Sequence, residues 1–372
     1  MNTNHRQEQG QIIAQIKNAV KRINDVTYIV HSQSGNGSYT VNLNKIGFIC
    51  SCPDHQYRGV KCKHIHAVEF SFAIRQKVKK DIVITPIDSF SCRYCNSNNV
   101  VKKAIRHNKY NDIQRYLCKE CGKRFSFNIG FQKMRATPQM ITTAMQLYFT
   151  GESFRNVKQF LKLQGVKMSH VAVYKWIKKY VGLMEKYLEK IKPNVGQAWR
   201  TDDLYLKVKG NTKYLYALMD DETRFWIAQQ VADTKNTADI TPLFSKGKEV
   251  AGTRPKTLIS DGDPNFHTAF NRELYTNRFP RTRHINHIRL QGDHNNNKME
   301  RMNGEVRDRE KKMRGLKKVD TPILTGYQIY HNYMRPYESL NDETPAERCG
   351  IKIKGNNKWL TLIQNAIFDN SK

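Results

Sequence analysis

Apolar residues recur at helical spacing from Gln11 to Ile23 and then give way to strand-type alternation. Val26 to Val30 and Ser38 to Leu43 predict two strands flanking Ser34-Gly35-Asn36-Gly37, a glycine-rich turn signal. The run from Ile65 to Lys77 is amphipathic, and Asp81 to Ser89, with Pro86, reads as a linker. From Pro138 to Tyr180 the period is helical throughout, interrupted at Gly151 and Gly165. Beyond Pro193 the pattern changes. Asp202, Leu204, Leu206 and Val208 fall on one face of a strand, and Thr201, Asp203, Tyr205, Lys207 and Lys209 on the other. Gly210-Asn211 turns the chain into a second strand, Lys213 to Met219, and Asp220 to Thr223 into a third, Arg224 to Val231. A helix from about Thr237 to Lys246 follows, then a buried strand, Lys256 to Ser260, ending in Asp261-Gly262-Asp263. The stretch Asn295 to Arg314 is helical and carries Lys298-Met299-Glu300-Arg301.

Charge narrows the partners. The 372 residues hold 63 Lys plus Arg against 33 Asp plus Glu, a formal net charge of +30 that fits a polyanion. DNA, RNA, ribosomes and anionic membrane surfaces would all suit that excess. No apolar run reaches the roughly 18–20 residues of a membrane span, and Met1 to Gly10 carries no signal-peptide core. The chain is therefore expected to be intracellular, with no membrane partner and with reduced thiols.

Seven of the eight cysteines precede residue 122. Cys92-x2-Cys95 and Cys118-x2-Cys121 form two knuckles separated by 22 residues. Two such turns can converge four thiolates on a tetrahedral structural zinc. Cys50, Cys52, Cys62 and His64 form a second candidate set, with His66 and then His55 as competing fourth ligands. The pattern CxC, nine residues, CxH resembles a SWIM-type zinc finger, a ββα module, and that resemblance favours His64. Neither set leaves an open position for catalysis, so two structural Zn²⁺ per chain are expected. Cys349 stands alone and reads as a small buried apolar residue.

Ser153 to Leu161 forms an amphipathic helix, Gly165 allows a turn, and Ser169 is a natural N-cap for a helix over Val171 to Tyr180. That spacing suits a helix-turn-helix whose second helix enters a major groove. Ser169, His170, Tyr174, Lys175, Lys178 and Lys179 are its candidate DNA contacts, a solvated basic hairpin being the plain alternative.

Asp202 closes an apolar row, where a bare carboxylate is costly unless paired or metal-bound. Asp203, on the polar row, is the weaker candidate. Asp220, Asp221 and Asp263 read as turn residues, and Asp233 as a turn residue or helix N-cap. Glu305 and Glu310 are expected on a solvated face, pairing with Arg307, Arg309 or Lys312. Three antiparallel strands, a helix, a strand ending in Asp261 and a helix bearing Glu300 match a ribonuclease H-like layout. Its first and fourth strands are neighbours, so Asp202 and Asp261 would meet, with Glu300 against both.

Trp199-Arg200-Thr201-Asp202, Ser260-Asp261-Gly262 and Asn297-Lys298-Met299-Glu300-Arg301 together resemble the three signatures of insertion-sequence DDE transposases. Tyr330-His331-Asn332-Tyr333-Met334-Arg335-Pro336, Leu340 and Thr344-Pro345-Ala346 are similar to that family's closing pattern, so the resemblance covers about residues 135–350. Asp203 departs from it, since relatives commonly carry Glu there. The resemblance implies a transposase that cleaves 3′ ends and transfers strands. Asp202, Asp261 and Glu300 would hold two Mg²⁺ (or Mn²⁺) ions per active site, with Arg301 a candidate DNA contact. It also implies double-stranded DNA partners, transposon terminal inverted repeats and target DNA, bound by a homodimer or higher multimer in the cytoplasm or nucleoid of a prokaryote. An inactive zinc-containing DNA-binding derivative, or a nuclease that cuts without joining, are the competing functions.

The expected fold class is multi-domain α+β. Its plan is a SWIM-like ββα zinc finger over 1–80, a zinc ribbon over 88–130 and a helix-turn-helix over 135–192. A ribonuclease H-like α/β catalytic domain over 195–350 follows, and then a C-terminal tail over 351–372.

Overall fold

The computed structural model describes residues 3–16, 18–23, 26–33, 37–44, 47–77, 81–87, 91–108, 110–127, 130–132, 134–277, 281–286, 297–313, 316 and 322–370. The chain divides into two compact units, residues 1–80 with 276–281, and residues 81–275 with 282–372.

In the first unit, α1 spans Thr3–Gln15 and is followed by β1 (Val20–Arg22), β2 (Thr27–His31), β3 (Ser38–Leu43) and β4 (Phe48–Cys50). Short α2 (Pro53–Arg58) and long α3 (Lys63–Lys77) complete it. The four strands form one antiparallel sheet in chain order. The helix expected over 11–23 thus ends early, because Val20 to Arg22 pair with Tyr28 to Val30 as an added edge strand. Alternation places Tyr28, Val30, Val41 and Cys50 inward against Ile65 and Val68 of α3. A Cβ on Gly10 would lie 2.4 Å from that of His66, so α1 packs on α3 only through a residue with no side chain. The turn expected over Ser34 to Gly37 lies largely outside the described residues.

The second unit starts with β5 (Ile82–Ile84), then β6 (Val100–Asn108), β7 (Asn111–Cys118) and β8 (Arg124–Phe125) as a three-stranded antiparallel ribbon. Helices α4 (Pro138–Thr150), α5 (Phe154–Leu163) and α6 (His170–Leu188) follow. Ser169 caps α6 by accepting from the Ala172 N–H at 3.1 Å, and Gly165 supplies the positive-φ turn before it (φ 77°). A five-stranded sheet runs β11-β10-β9-β12-β13, with β9 (Ala198–Val208), β10 (Asn211–Asp220) and β11 (Trp226–Ala232) antiparallel. After α7 (Thr237–Ala251), β12 (Thr257–Ile259) lies parallel to β9; α8 (Pro264–Glu273) leads to β13 (Arg283–Ile285), parallel to β12. Then come α9 (Asn297–Met313), α10 (Pro322–Ile329), a π-helical turn over Tyr330–Met334 and short α11 (Pro345–Arg348).

The end of the chain bears on two expectations. Residues 351–372, expected as a C-terminal tail, carry two elements: β14 (Ile351–Ile353) pairs in parallel with β5, and α12 (Lys358–Asp369) buries Trp359, Leu362, Ile363 and Ala366. The segment read as a linker therefore supplies a strand, because isoleucines at both ends of Ile82-Val83-Ile84 find an equally short apolar partner. Among the described residues, no helix is long and apolar enough to cross a membrane.

Close packing sets one testable point. A Cβ on Gly326 of α10 would meet the Phe149 ring at 2.3 Å and Val181 at 2.9 Å. Gly326→Ala gains about 1 kcal/mol of helix propensity but overpacks a buried ring at a cost of about 1–3 kcal/mol. The two terms sum to a net destabilisation of about 0–2 kcal/mol in denaturant unfolding; a raised midpoint would show that α10 docks more loosely.

Candidate active site and metal clusters

Strand β12 stops at Ile259, opposite Arg200, so β9 has no ladder partner on that side at residues 202 and 203. Asp261 sits just past the same strand end. Asp202, Asp203 and Asp261 each bring a carboxylate oxygen to within 4.8 Å of the others. Glu300, on the first turn of α9, is exposed and lines the same cavity of about 470 Å³, together with Lys235, Asn303 and Arg307. The predicted Asp202–Asp261 meeting is therefore present. The tight group also admits Asp203, which strict alternation had turned away. Alternation holds from Leu204 to Val208 and fails over Trp199 to Thr201, all buried where β9 is flanked on both sides.

Each carboxylate has a distinct environment. One Asp202 oxygen accepts the Asp203 N–H at 2.9 Å, and the other accepts from Asn303 Nδ2 at 2.9 Å. Burial, followed by the charges of Asp261, Asp203 and Glu300, pushes the Asp202 carboxyl up to about 7 despite the Asp203 N–H. Burial likewise raises Asp261. Asp203, its side chain 5% exposed, is ion-paired with Lys235 at 2.9 Å, and the same ammonium reaches Asp263 at 3.4 Å. Asp203 thus has a resident counter-charge, whereas Asp261 has no ion pair among the described residues. Hard oxygen donors grouped this closely, with the Asp202 and Asp261 carboxyls held above their usual range, suit a divalent cation such as Mg²⁺.

Several supporting residues were not singled out from sequence. Arg200 is fully buried and donates from Nε to Asp221, and Lys298 Nζ donates to Asp221 Oδ1 and to its carbonyl, both at 2.8 Å. One turn carboxylate thereby ties β9, two residues before Asp202, to α9, two residues before Glu300. Glu305 is not on a solvated face: it pairs with Arg335 at 2.7 Å, and Glu310 accepts the Lys207 N–H at 2.8 Å. Burial of α9 against β9 leaves these acids pointing at fixed partners. Asp263 caps α8 through the Asn265 N–H, Asp233 pairs with Lys213, and the cap of α7 is Asn236. Ser260 Oγ lies 2.9 Å from His284 Nε2, fixing the strand end beside Asp261. The signal for Asn303 was its place three residues after Glu300, on the same helix face.

Cys50, Cys52, Cys62 and His64 are all buried and bring one ligand atom each within 4.8 Å. His64 Nδ1 lies 3.8 Å from Cys50 Sγ, while His55 Nδ1 is bonded to the Val60 carbonyl and His66 Nδ1 faces Glu69 at 3.4 Å. The competing histidines are committed elsewhere. Cys92, Cys95, Cys118 and Cys121 form a second quartet, with Sγ–Sγ distances of 3.5 Å for Cys92–Cys121 and Cys95–Cys118. That is far beyond a disulfide's roughly 2.05 Å and near the edge of about 3.8 Å expected for a tetrahedron with Zn–S of about 2.3 Å. Both quartets fit zinc-binding modules. Cys349 is buried, its Sγ 3.2 Å from Thr223 Oγ1.

The proposed DNA contacts are dispersed. Ser169, His170, Tyr174, Lys175, Lys178 and Lys179 are exposed on α6, with the Ser169 hydroxyl occupied as cap. Arg301 is exposed on α9 and approaches Glu305 at 3.9 Å.

Asp221→Ala removes the carboxylate that Arg200 and Lys298 share, and a loss of about 3 kcal/mol is expected in denaturant unfolding. Burial pushes Asp221 up, yet Arg200 and Lys298 hold it below the usual carboxylate range. Its contribution is therefore complete above about pH 4 and fades as pH falls through the depressed value. The wild-type advantage over D221A should shrink accordingly in acid; a constant gap would mean that Asp221 acts only through turn geometry.

Residues 196–335 match a family model described as a DDE domain. Over 140 residues the chain is 28% identical to a transposase for insertion sequence-like element IS431mec of Staphylococcus aureus (strain Mu50), covering 36% of this chain and 60% of that protein. The same figures hold for a Staphylococcus aureus transposase for insertion sequence element IS257 in transposon Tn4003. The chain thus spans 60% of the length of the curated relatives it matches. Among solved structures, it is similar to the HTLV-2 integrase catalytic core domain in complex with magnesium (trimeric form), with TM-score 0.32 and 17% identity, covering 43% of this chain and 98% of that one. Asp202, Asp203, Asp261, Glu300 and Asn303 all lie inside the matched segment.

Proposed function

We propose, from the match of residues 196–335 to a DDE-domain family model, that the chain cuts and joins DNA in transposition. The observation that carries the proposal is the meeting of Asp202 and Asp261 at the open edge of β9, in a cavity that Glu300 also lines. Asp202, Asp261 and Glu300 would hold two Mg²⁺ (or Mn²⁺) ions. Bound there, such ions lower the pKa of an attacking hydroxyl and stabilise the leaving oxygen.

The protein's own groups account for the remaining work. Asn303 fixes the Asp202 carboxylate in one orientation, and Lys235 offsets Asp203 so that less like charge faces an incoming phosphodiester. Cleavage adds water across a P–O3′ bond and leaves a 3′-hydroxyl. Joining forms a new P–O bond from that hydroxyl to a target phosphate and releases the target's 3′-oxygen. Arg307 on the cavity wall, and Arg301 one residue after Glu300, suit phosphate contacts.

The remaining elements are read as DNA-handling parts. Helices α5 and α6 are proposed as a helix-turn-helix that binds terminal inverted repeats through the exposed face of α6. Both cysteine-containing quartets are proposed as structural Zn²⁺ sites, one in a SWIM-like finger over 1–80 and one in a ribbon over 88–130. The working state would be a homodimer or higher multimer on transposon-end and target DNA.

Asp202→Asn, Asp261→Asn and Glu300→Gln should each reduce Mg²⁺-dependent oligonucleotide joining below detection while duplex binding persists. Near-normal joining by any one of them would remove that residue from the chemistry, and cutting without joining would make the enzyme a nuclease. Elemental analysis should find two zinc ions per chain, falling to one in Cys62→Ser or in Cys118→Ser. A wild-type count of one or none would remove one or both assignments.

A further inference from the structure

The ribbon β6-β7-β8 has two unlike faces. On one, Tyr116 packs against Phe125 and Phe127, with ring centroids 6.2 and 4.5 Å apart, beside the cysteine quartet. The other face carries arginine. Ala104 pairs with Arg115, Arg106 with Ile113, and Leu117 with Arg124, so period-two alternation puts Arg106, Arg115 and Arg124 on the same side of three adjacent strands. These three, with Arg93 and Tyr94 of the first knuckle and Arg135 just before α4, line a cavity of about 800 Å³. No acidic residue lines it. All five arginines are exposed, and none forms an ion pair among the described residues.

An isolated three-stranded ribbon gains nothing in stability from like charges ranked on one face; cross-strand repulsion works against it. The arrangement also does not converge on one point, as a pocket for a small anion would. Arg106, Arg115 and Arg124 step diagonally, about 10 Å across two strand spacings and about 13 Å along the strands, a span of roughly 17 Å over which duplex DNA carries about ten phosphate charges. We propose that this arginine face is a track for the sugar-phosphate backbone of double-stranded DNA, separate from the helix-turn-helix and from the carboxylate cavity. It rests on the reading of the chain as a DNA-processing protein and adds a second place where DNA is held. Guanidinium groups suit the task because their fork matches phosphate oxygens and stays charged at every working pH. The contact reads no sequence.

The test uses the full zinc-loaded chain and a fixed 30-base-pair duplex, with binding followed by fluorescence anisotropy across a salt series. Each phosphate neutralised contributes about 0.9 to the slope of log K against log salt. Arg106→Gln, Arg115→Gln and Arg124→Gln combined should flatten that slope by about 2–3 and weaken binding about tenfold or more near 0.1 M salt. The matching triple Arg→Lys variant should keep most of the slope. Removing the exposed cations Arg254, Lys256 and Arg272 as glutamines should leave it unchanged. An unaltered slope in the arginine-face variant overturns the proposal, as does an equal loss in the control triple, which would reduce it to net charge. Binding lost for an RNA duplex or an acidic peptide, but not for DNA, overturns it too. Mg²⁺-dependent cutting is scored separately at saturating DNA. A wild type that binds through this face yet never cuts would leave the track standing and remove the catalytic reading.

Discussion

Burying like charge is the constraint around which the second unit is arranged. Asp202, Asp203 and Asp261 crowd into one cavity with Glu300 on its wall, and carboxylates in that setting resist ionisation. The fold answers with fixed local partners. Asn303 and the Asp203 N–H each satisfy one oxygen of Asp202, and Lys235 bridges Asp203 to Asp263. Only groups whose positions are set by the sheet and by α9 can do this without moving. The strand break that opens the cavity, where β12 ends opposite Arg200, therefore depends on interactions that hold β9 and α9 in register. The Arg200–Asp221–Lys298 arrangement, with Arg200 buried and the other two half-buried, is the most direct of these.

The closing motif belongs to the same support. Strand β11 is at the edge of its sheet, where unpaired backbone groups invite water or another chain. Asn332 meets that edge with both halves of its amide: Oδ1 accepts the Trp226 N–H at 2.8 Å and Nδ2 donates to the Trp226 carbonyl at 3.0 Å. Gln328 adds a bond to the same carbonyl, and His331 Nε2 lies 2.9 Å from the Arg224 carbonyl. Arg335 then reaches Glu305 on α9. The Tyr-His-Asn…Arg-Pro stretch thus serves as a clasp between the sheet edge and α9.

Much of this was legible in sequence because it rests on period. The three antiparallel strands, the helix expected from about Thr237 to Lys246 (it runs on to Ala251) and Ser169 as a cap all follow from alternation, helical spacing and cap chemistry that local residues determine. What stayed hidden depends on remote partners. Ile82-Val83-Ile84 is too short and too near Pro86 to announce a strand; only Ile351-Lys352-Ile353, some 270 positions later, makes it one. The placement of Asp203 turns on where β12 stops, which alternation within β9 cannot report. Asp221 looks like any turn aspartate until Arg200 and Lys298 are seen to converge on it. His64 was already favoured by the resemblance; what the sequence could not report is that His66 and His55 have other partners, Glu69 and the Val60 carbonyl.

The distribution of charge gives the arrangement its direction. A chain with a net charge of +30 attracts a polyanion over most of its surface, yet its candidate active site is locally acidic. A phosphodiester drawn toward the protein meets repulsion at the one place where chemistry would occur, because Lys235 and Arg307 are only two cations against the four carboxylates that line the cavity, and Lys235 is already engaged with Asp203 and Asp263. Divalent cations would reverse the sign of that cavity. On this reading, cation binding and DNA entry are coupled electrostatically. The surrounding basic surface would hold the polymer near a cavity that admits its backbone only after the carboxylates have been neutralised.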